Sequence, residues 1–335
     1  MSPWLPAAPC TPEGCARHTG AARAPLPAAL RLLAGCGLVL LGATCLPLVR
    51  LLGAGTRTRL TRRWARTVVR AFGVRVTVRS HAPGPVAGGE LVVANHISWL
   101  DIPLIASVLP GRTVAKSEIR RWPVLGPLAA LGGTLFIDRD RLRALPAAVR
   151  AVTDALRSGS RVVVFPEGST WCGRGGGAFR PAVFQAAIDA DATVRPVRIA
   201  YRTARHATGP AAGAVAFVGA DPLAASLWRV VRAAGLTARL DVLAPIPASR
   251  EAGRRALARG ARAAVLGPGS PAGPLRPPWQ ATGRTGRPRP STTEPVAGRR
   301  PPAPHGRPPA GTSPTPPYAV PHRPRTAPRG PAPGS

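Results

Sequence analysis

The chain has 335 residues and carries 46 Lys and Arg against 14 Asp and Glu, a formal net charge of +32. Such a charge favours an anionic partner: nucleic acid, an acidic lipid surface or a phosphorylated substrate. Aromatic residues make up only 4% of the chain, which argues against a base-stacking surface, so no nucleic-acid partner is expected. The five cysteines show no metal-ligand pattern, so neither a disulfide framework nor a zinc ribbon is expected.

Two segments precede the first predicted strand. Residues 1–27 are rich in Pro and Ala and are predicted to be a disordered extension. Residues 28–53 are predicted to be an apolar membrane anchor, because Leu32–Val49 contains 18 residues without a charge. As a helix these would span roughly 27 Å, the lower limit for crossing a bilayer. Three glycines and Pro47 weaken a spanning helix, so a re-entrant or monotopic anchor stays open.

Arginines then follow the apolar segment, with no acidic residue before Glu90. An excess of Arg beside an apolar segment marks the cytoplasmic side of a membrane. We therefore expect a cell-membrane protein whose main domain lies on the cytoplasmic side. Arginines in this place also suit an anionic membrane surface, although a solvated basic helix would give the same pattern. The residues are Arg57, Arg59, Arg62, Arg63, Arg66, Arg70, Arg75 and Arg79.

The central part of the chain, residues 54–267, is predicted to be one α/β domain. Short apolar runs typical of buried strands alternate with helical patterns, which indicates a mostly parallel or mixed sheet covered by helices. The predicted strands are Val74–Val78, Leu91–Ala94, Thr134–Ile137, Val162–Phe165, Thr193–Ile199, Ala214–Val218 and Leu240–Leu243. The predicted helices are Leu100–Val108, Leu142–Leu156, Pro181–Ala190, Leu223–Ala234 and Arg250–Val265.

The C-terminal segment, residues 268–335, holds 21 of the 42 prolines and has no apolar periodicity. A segment of this composition cannot bury enough apolar surface to offset its chain entropy. It is predicted to be a disordered Pro/Arg-rich tail.

Three polar clusters follow predicted strands, where reactive groups are often placed. The first is Asn95-His96-Ile97-Ser98-Trp99-Leu100-Asp101, in which His96 is a candidate base and Asp101 could orient its ring. Ser98 could cap the following helix. The second ends in Asp138-Arg139, where the planar Arg fork suits a phosphate. The third, Phe165-Pro166-Glu167-Gly168-Ser169-Thr170, turns sharply after a buried strand.

A fourth cluster, Val194-Arg195-Pro196-Val197-Arg198-Ile199, is predicted to be a strand that brings two cations close together. The order N-H-x-x-x-x-D, G-x-x-F-I-D-R, F-P-E-G-[ST] and V-x-P-V resembles the four sequence blocks of the glycerolipid acyltransferase family. That family includes 1-acylglycerol-3-phosphate and other lysophospholipid acyltransferases. The resemblance covers about residues 60–245 and implies the α/β fold of glycerol-3-phosphate acyltransferases.

The resemblance also implies the roles of individual residues. His96 takes the proton from the acceptor hydroxyl and Asp101 orients it, while the hydroxyl attacks the thioester of acyl-CoA or acyl-carrier protein. The acceptor is a lysophospholipid, most simply 1-acyl-sn-glycerol-3-phosphate. No metal and no cofactor beyond this co-substrate are implied, and Cys172 is taken as incidental. The substrate-binding candidates are Asn95, Ser98, Arg139, Glu167, Gly168, Ser169, Arg174 and Arg180.

One position departs from the family pattern. Members that act on lysophosphatidic acid typically read F-P-E-G-T-R-S, whereas Thr170 stands at the Arg position here. Arg174 or Arg180 would then replace the missing cation, or the acceptor would lack a phosphomonoester. The alternatives are therefore a lyso-aminolipid acceptor, such as lyso-ornithine lipid, and a non-catalytic basic membrane-binding protein.

Overall fold

The computed structural model describes residues 8–81, 88–138, 141–203 and 212–267. Arg139 and the predicted tail, 268–335, lie outside these ranges. The helices are α1 Pro12–Cys15, α2 Pro25–Arg50, α3 Ala54–Ala71, α4 Asp101–Ala106, α5 Leu125–Leu131, α6 Leu145–Arg157, α7 Ala182–Asp189, α8 Leu223–Arg232 and α9 Arg254–Leu266. The strands are β1 Arg75–Ser80, β2 Glu90–Ala94, β3 Arg112–Lys116, β4 Leu135–Ile137, β5 Arg161–Val164, β6 Thr193–Arg202, β7 Thr237–Val242 and β8 Ile246–Pro247.

The described strands form one mixed sheet in the order β1-β7-β6-β2-β5-β3-β4, with β8 paired to β6. The pairs on both sides of β2 are parallel, whereas β6 runs antiparallel to β7 and β8. Because side chains alternate along a strand, β2 serves two cores. Val92 and Ala94 belong to the apolar layer under α3, α4 and α8, and Leu91 and Val93 to the layer under α6, α7 and α9. The predicted α/β fold with a helix-covered sheet is confirmed.

Several predicted elements differ from the structure. Ala214–Val218 is not a strand: Gly213–Val215 forms a 3-10 turn, and the Phe217 N–H donates to the Ile97 carbonyl at 3.0 Å instead of to a neighbouring strand. Strand β3 and helix α5 were not predicted: β3 has only three residues between two charged ends, and α5 has only seven residues and contains Gly126 and Pro127, which are both unfavourable inside a helix.

Arg195 and Arg198 do not form a joint cationic site. They lie an odd number of positions apart on β6 and so point to opposite faces of the sheet. Arg195 is buried and its Nε donates to Glu90 Oε1 at 2.6 Å. Arg198 donates instead to the carbonyls of Val265 and Ala264 at the end of α9. Both arginines therefore hold the domain together.

The N-terminal segment from residue 8 onward is packed, contrary to the predicted disorder of 1–27. Cys10 and Ala16 are buried against Trp171, Cys172, Ala216 and Val218. Further along, the Arg23 N–H donates to the Arg232 carbonyl at 2.7 Å, beside a short bridge between Ala22 and Ala233. Composition alone predicts disorder because the surface that covers this segment comes from distant parts of the chain.

Helix α2 contains the predicted apolar anchor and is long and apolar enough to cross a membrane, with a window of mean hydropathy 2.2. It packs along α3 and also contacts α5 and α8. Gly35 lies under the Phe72 ring and Gly42 under Trp64, whose Nε1 donates to the Leu38 carbonyl at 2.9 Å. A Cβ at either glycine would overlap these rings, so the glycines allow α2 and α3 to pack closely.

Candidate active site

The candidate site lies at the carboxyl edge of the central strands. Strands β2 and β5 are parallel neighbours, so the segments that follow them emerge side by side. One segment begins at Asn95 and carries His96, and the other begins at Phe165 and carries Glu167. The backbone confirms this closeness, because the Trp171 N–H donates to the His96 carbonyl at 2.7 Å.

His96 and Asp101 are brought together by the turn that opens α4. The His96 Nδ1 lies 2.8 Å from Asp101 Oδ2. The Asp101 side chain is 0% exposed, whereas the imidazole is 20% exposed, so the ring lies between the buried acid and solvent. The same carboxylate oxygen accepts the N–H groups of Ile97 at 2.6 Å and Ser98 at 2.8 Å. These bonds curl the 96–101 segment around the acid.

Tyr201 supplies the last hydrogen bond to this carboxylate. Its hydroxyl, fully buried at the end of β6, donates to Asp101 Oδ1 at 2.7 Å. Burial, together with the charge of Asp101, raises the Tyr201 pKa well above its usual value, so the phenol stays a donor. Sequence reasoning missed this residue because a Tyr in a strand 100 positions away gives no local signal.

The arrangement fixes the tautomer of His96. Because Asp101 is an acceptor with several other donors facing it, Nδ1 carries the ring proton and Nε2 presents its lone pair. Within the described ranges, no hydrogen bond is made by Nε2. Phe165 stacks on the imidazole with centroids 4.0 Å apart and an interplanar angle of 16°. Asp101 therefore holds the Nδ1 edge of the ring and Phe165 covers one of its faces, while Nε2 is free to accept a proton from a hydroxyl.

Glu167 is a buried clamp between the two segments. Its Oε2 accepts the His96 backbone N–H at 2.7 Å and its Oε1 accepts the Gly177 N–H at 2.9 Å. Burial raises the pKa of this carboxyl to about 8, although both N–H bonds and the nearby Arg262 act in the opposite direction. Both oxygens are engaged by backbone groups, so Glu167 positions the two segments, and its substrate-binding role stays a prediction.

The glycine run after the third cluster makes this clamp possible. A Cβ at Gly176 would lie 2.6 Å from Glu167 Oε1, and a Cβ at Gly177 would lie 2.9 Å from the Trp171 indole nitrogen. The Arg262 Nε donates to the Gly177 carbonyl at 2.9 Å and so ties α9 to the same loop. Sequence reasoning did not single out Arg262 or the glycines as part of the site.

Asn95 and Ser98 are also bonded to backbone groups. Asn95 is buried and bonds to the β6 backbone, donating to the Ile199 carbonyl at 2.9 Å and accepting the Ile199 N–H at 2.8 Å. Ser98 is fully buried, and its Oγ accepts the Leu100 N–H at 3.3 Å, the turn-capping role also considered from sequence. Both side chains are buried and hold the backbone of the site, and their substrate-binding roles stay predictions.

The remaining candidates lie on the loop after β5. Gly168 closes a tight turn, with its N–H on the Phe165 carbonyl at 3.2 Å and a φ of 77° that favours glycine. The Ser169 hydroxyl is buried and has no hydrogen-bond partner among the described residues. Arg174 and Arg180 have exposed side chains. The two arginines are therefore accessible to an anion, whereas the Ser169 hydroxyl is not, and the substrate-binding roles of all three residues stay predictions.

Comparison with known proteins identifies the family. Residues 75–200 match the model of the Acyltransferase family. The chain is 38% identical over 204 residues to the 1-acyl-sn-glycerol-3-phosphate acyltransferase of Neisseria meningitidis serogroup B, covering 60% of this chain and 77% of that one. The chain belongs to the glycerolipid acyltransferase family. It is an O-acyltransferase, as the four sequence blocks predict.

Two further relatives refine the comparison. The acyltransferase is 36% identical over 209 residues to the lyso-ornithine lipid O-acyltransferase of Pseudomonas aeruginosa, covering 62% of this chain and 78% of that one. The crystal structure of the 1-acyl-sn-glycerophosphate acyltransferase of Thermotoga maritima superposes with a TM-score of 0.55 at 21% identity, over 78% of this chain and 98% of that one. This last likeness confirms the fold.

Proposed function

We propose that this acyltransferase transfers an acyl chain from a thioester donor to the free hydroxyl of a lysophospholipid, and that 1-acyl-sn-glycerol-3-phosphate is its preferred acceptor. The observation that carries the proposal is the His96–Asp101 pair, in which the buried acid holds Nδ1 at 2.8 Å and leaves Nε2 free. The product would be phosphatidic acid. The names of the Neisseria and Thermotoga relatives support this acceptor.

The proposed reaction is a direct transfer. The acceptor hydroxyl oxygen attacks the thioester carbonyl while His96 Nε2 takes the hydroxyl proton. The carbon–sulfur bond then breaks, and the imidazolium returns the proton to the leaving thiolate. Asp101 stabilises the transient positive charge on the ring. The donor is acyl-CoA or acyl-carrier protein. Because His96 both takes and returns the proton, no step of this mechanism requires a catalytic cofactor.

The choice of acceptor depends on the cations near the third cluster. A phosphomonoester carries nearly two negative charges, and a bidentate Arg contact to it contributes about 1.5–3 kcal/mol, or roughly 10- to 100-fold in specificity. By family resemblance Arg139 binds the phosphate. We propose that Arg174 or Arg180 replaces the cation lost at Thr170, because both side chains are exposed on the loop that carries Glu167.

A second acceptor is favoured by a separate observation. Thr170 removes the cation expected for lysophosphatidic acid, and one relative is named for lyso-ornithine lipid at 36% identity. Acylation of such a lyso-aminolipid would use the same His96 and Asp101.

The test is kcat/KM for the two acceptors with one acyl donor, using the purified full chain in detergent. Lysophosphatidic acid is expected to be preferred, and Arg174→Ala or Arg180→Ala is expected to raise its KM while sparing the phosphate-free lipid. Arg150→Ala, an exposed arginine on α6, is the matched control. A clear preference of the wild-type chain for lyso-ornithine lipid would overturn the acceptor assignment.

We further propose that α2 and α3 form the membrane-binding face, with the catalytic domain on the cytoplasmic side. Helix α2 exposes leucines at helical spacing, including Leu26, Leu33 and Leu48 at 72%, 69% and 67%. Helix α3 exposes a stripe of arginines at positions 59, 62, 63, 66 and 70, and four of these line a shallow groove. An apolar stripe beside a cationic stripe suits an anionic bilayer surface.

Vesicle binding tests this surface. Replacing Arg59, Arg62 and Arg63 by Ala is expected to weaken binding to vesicles rich in phosphatidylglycerol, by about 1 kcal/mol per Arg near the surface, and to reduce its salt dependence. The control triple Arg254, Arg255 and Arg259 to Ala removes the same charge from the exposed side of α9. Equal losses in both triples would show that only net charge matters and would contradict the proposed face.

A further inference from the structure

Three cysteines that are far apart in sequence meet beside the active-site loop. The sulfur atoms of Cys10, Cys15 and Cys172 all lie within 4.8 Å of one another. Cys172 is incidental in the sequence-based interpretation because the sequence alone does not show that these three residues are adjacent in the fold. Cys10 and Cys15 have the C-x4-C spacing of many structural metal sites, and the third sulfur comes from a residue more than 150 positions away.

The three thiols lie in a largely buried, apolar environment, and local hydrogen bonds hold the segment that carries two of them. Cys10 is 6% exposed and Cys172 is 3% exposed, and an apolar shell of Ala16, Trp171 and Val218 surrounds them. Thr11, between the paired cysteines, caps α1 by accepting the Gly14 N–H at 3.2 Å, and α1 ends at Cys15. The cap fixes the turn that brings both sulfurs to the same side.

We propose that Cys10, Cys15 and Cys172 form a binding site for a thiophilic metal ion, with Zn²⁺ as the ion. Zinc–thiolate bonds of about 2.3 Å place the sulfurs of a tetrahedral site roughly 3.8 Å apart, so the thiols need to move by only about 1 Å or less from their present spacing. A donor set of sulfur alone selects thiophilic ions over Mg²⁺ or Ca²⁺. Each thiol loses its proton on binding.

The site would join two parts of the chain that are far apart in sequence. Cys10 and Cys15 precede α2, whereas Cys172 follows Trp171, whose N–H is bonded to the His96 carbonyl. A metal ion at this place therefore holds the N-terminal segment against the loop that carries Glu167. Its role is structural, since the thiols belong to the shell behind the His96–Asp101 pair rather than to the pair itself.

Cobalt substitution tests the proposal on the purified full chain, kept reduced with a phosphine. Co²⁺ is expected to give a thiolate-to-cobalt charge-transfer band at one ion per chain, and Zn²⁺ is expected to displace it. Cys10→Ser, Cys15→Ser and Cys172→Ser should each lose the band and weaken Zn²⁺ binding by at least about 100-fold. Loss of a residue that only supports a metal ligand already weakens metal binding by about 10- to 100-fold, so loss of a ligand should cost at least as much. Zn²⁺ should also raise the Tm of the wild-type chain but not of these variants.

The matched control is the double variant Cys36→Ser/Cys45→Ser, which removes the two thiols of α2 and should bind Co²⁺ like the wild type. Cys15 is only half-buried, so Cys15→Ser gives a folded variant for comparison if the buried positions do not tolerate Ser. The proposal is overturned if the wild-type band is absent, if the band survives in Cys15→Ser, or if peptide mapping finds a Cys10–Cys172 disulfide as the main form of the purified protein.

Discussion

Replacing Asp101 by Asn is the sharpest test of the proposed mechanism. The Asn side chain can keep its oxygen where Oδ2 now accepts His96 Nδ1, Ile97 N and Ser98 N, and turn its amide nitrogen toward the Tyr201 oxygen. Tyr201 can accept this bond by rotating its hydroxyl. The turn therefore survives, and what is lost is the negative charge beside the imidazole.

The size of the loss follows from the distance. A unit charge 2.8 Å from the imidazolium contributes about 6 kcal/mol at an effective dielectric constant of 20, and roughly half of this if the amide dipole compensates in part. Because about 1.4 kcal/mol corresponds to a tenfold change in rate, kcat should fall by about 10²- to 10⁴-fold.

The assay measures kcat for acyl transfer with one donor and one lysophospholipid, together with Tm. Asp154→Asn, which changes an exposed acid on α6, is the matched control and should leave both values unchanged. His96→Ala should lose at least ~10²-fold of activity by removing the base itself. Near-normal turnover by folded Asp101→Asn or His96→Ala would refute the reasoning.

Three further predictions concern two buried residues of the site, Glu167 and Asn95, and the C-terminal segment 268–335. Because burial raises the Glu167 pKa from 4.5 to about 8, the folded state holds the proton more tightly, and stability should fall by up to about 1.4 kcal/mol per pH unit as pH rises from 4.5 to 8. Glu167→Gln should remove most of this pH dependence, measured as Tm against pH. It should also lower stability at low pH, because the amide nitrogen of Gln would face a backbone N–H. The control Glu118→Gln changes an exposed residue and should keep the wild-type dependence of Tm on pH. Asn95→Ala should cost about 2–4 kcal/mol in denaturant unfolding because it leaves both Ile199 backbone groups unpaired, and a cost under 0.5 kcal/mol would contradict that role. Removing 268–335 should leave acyl transfer and Tm unchanged, and a clear drop in Tm would show that the tail contributes to the fold.

The sequence by itself determined the fold class, the family and the pairing of His96 with Asp101. Apolar runs at strand and helix periods predict the α/β domain because burial on both faces of a parallel sheet requires continuous apolar strands. His96 and Asp101 could be paired from sequence because only a short turn separates them, and the hydrogen bonds of that turn are local.

Only the tertiary structure decided how the other residues are used. Tyr201 lies on β6, Arg262 on α9, and Glu167 and Gly177 on the loop after β5. Strands β2, β5 and β6 are parallel and bring their carboxyl ends to one edge of the sheet, where α9 is tied to the loop through Arg262. The sequence does not show that both amide atoms of Asn95 are bonded to the backbone of Ile199 on the neighbouring strand β6. The three cysteines are likewise scattered in sequence and adjacent in space. Periodicity reports which face of an element is buried, whereas the partner on that face depends on strand order, and strand order is not a local property of the chain.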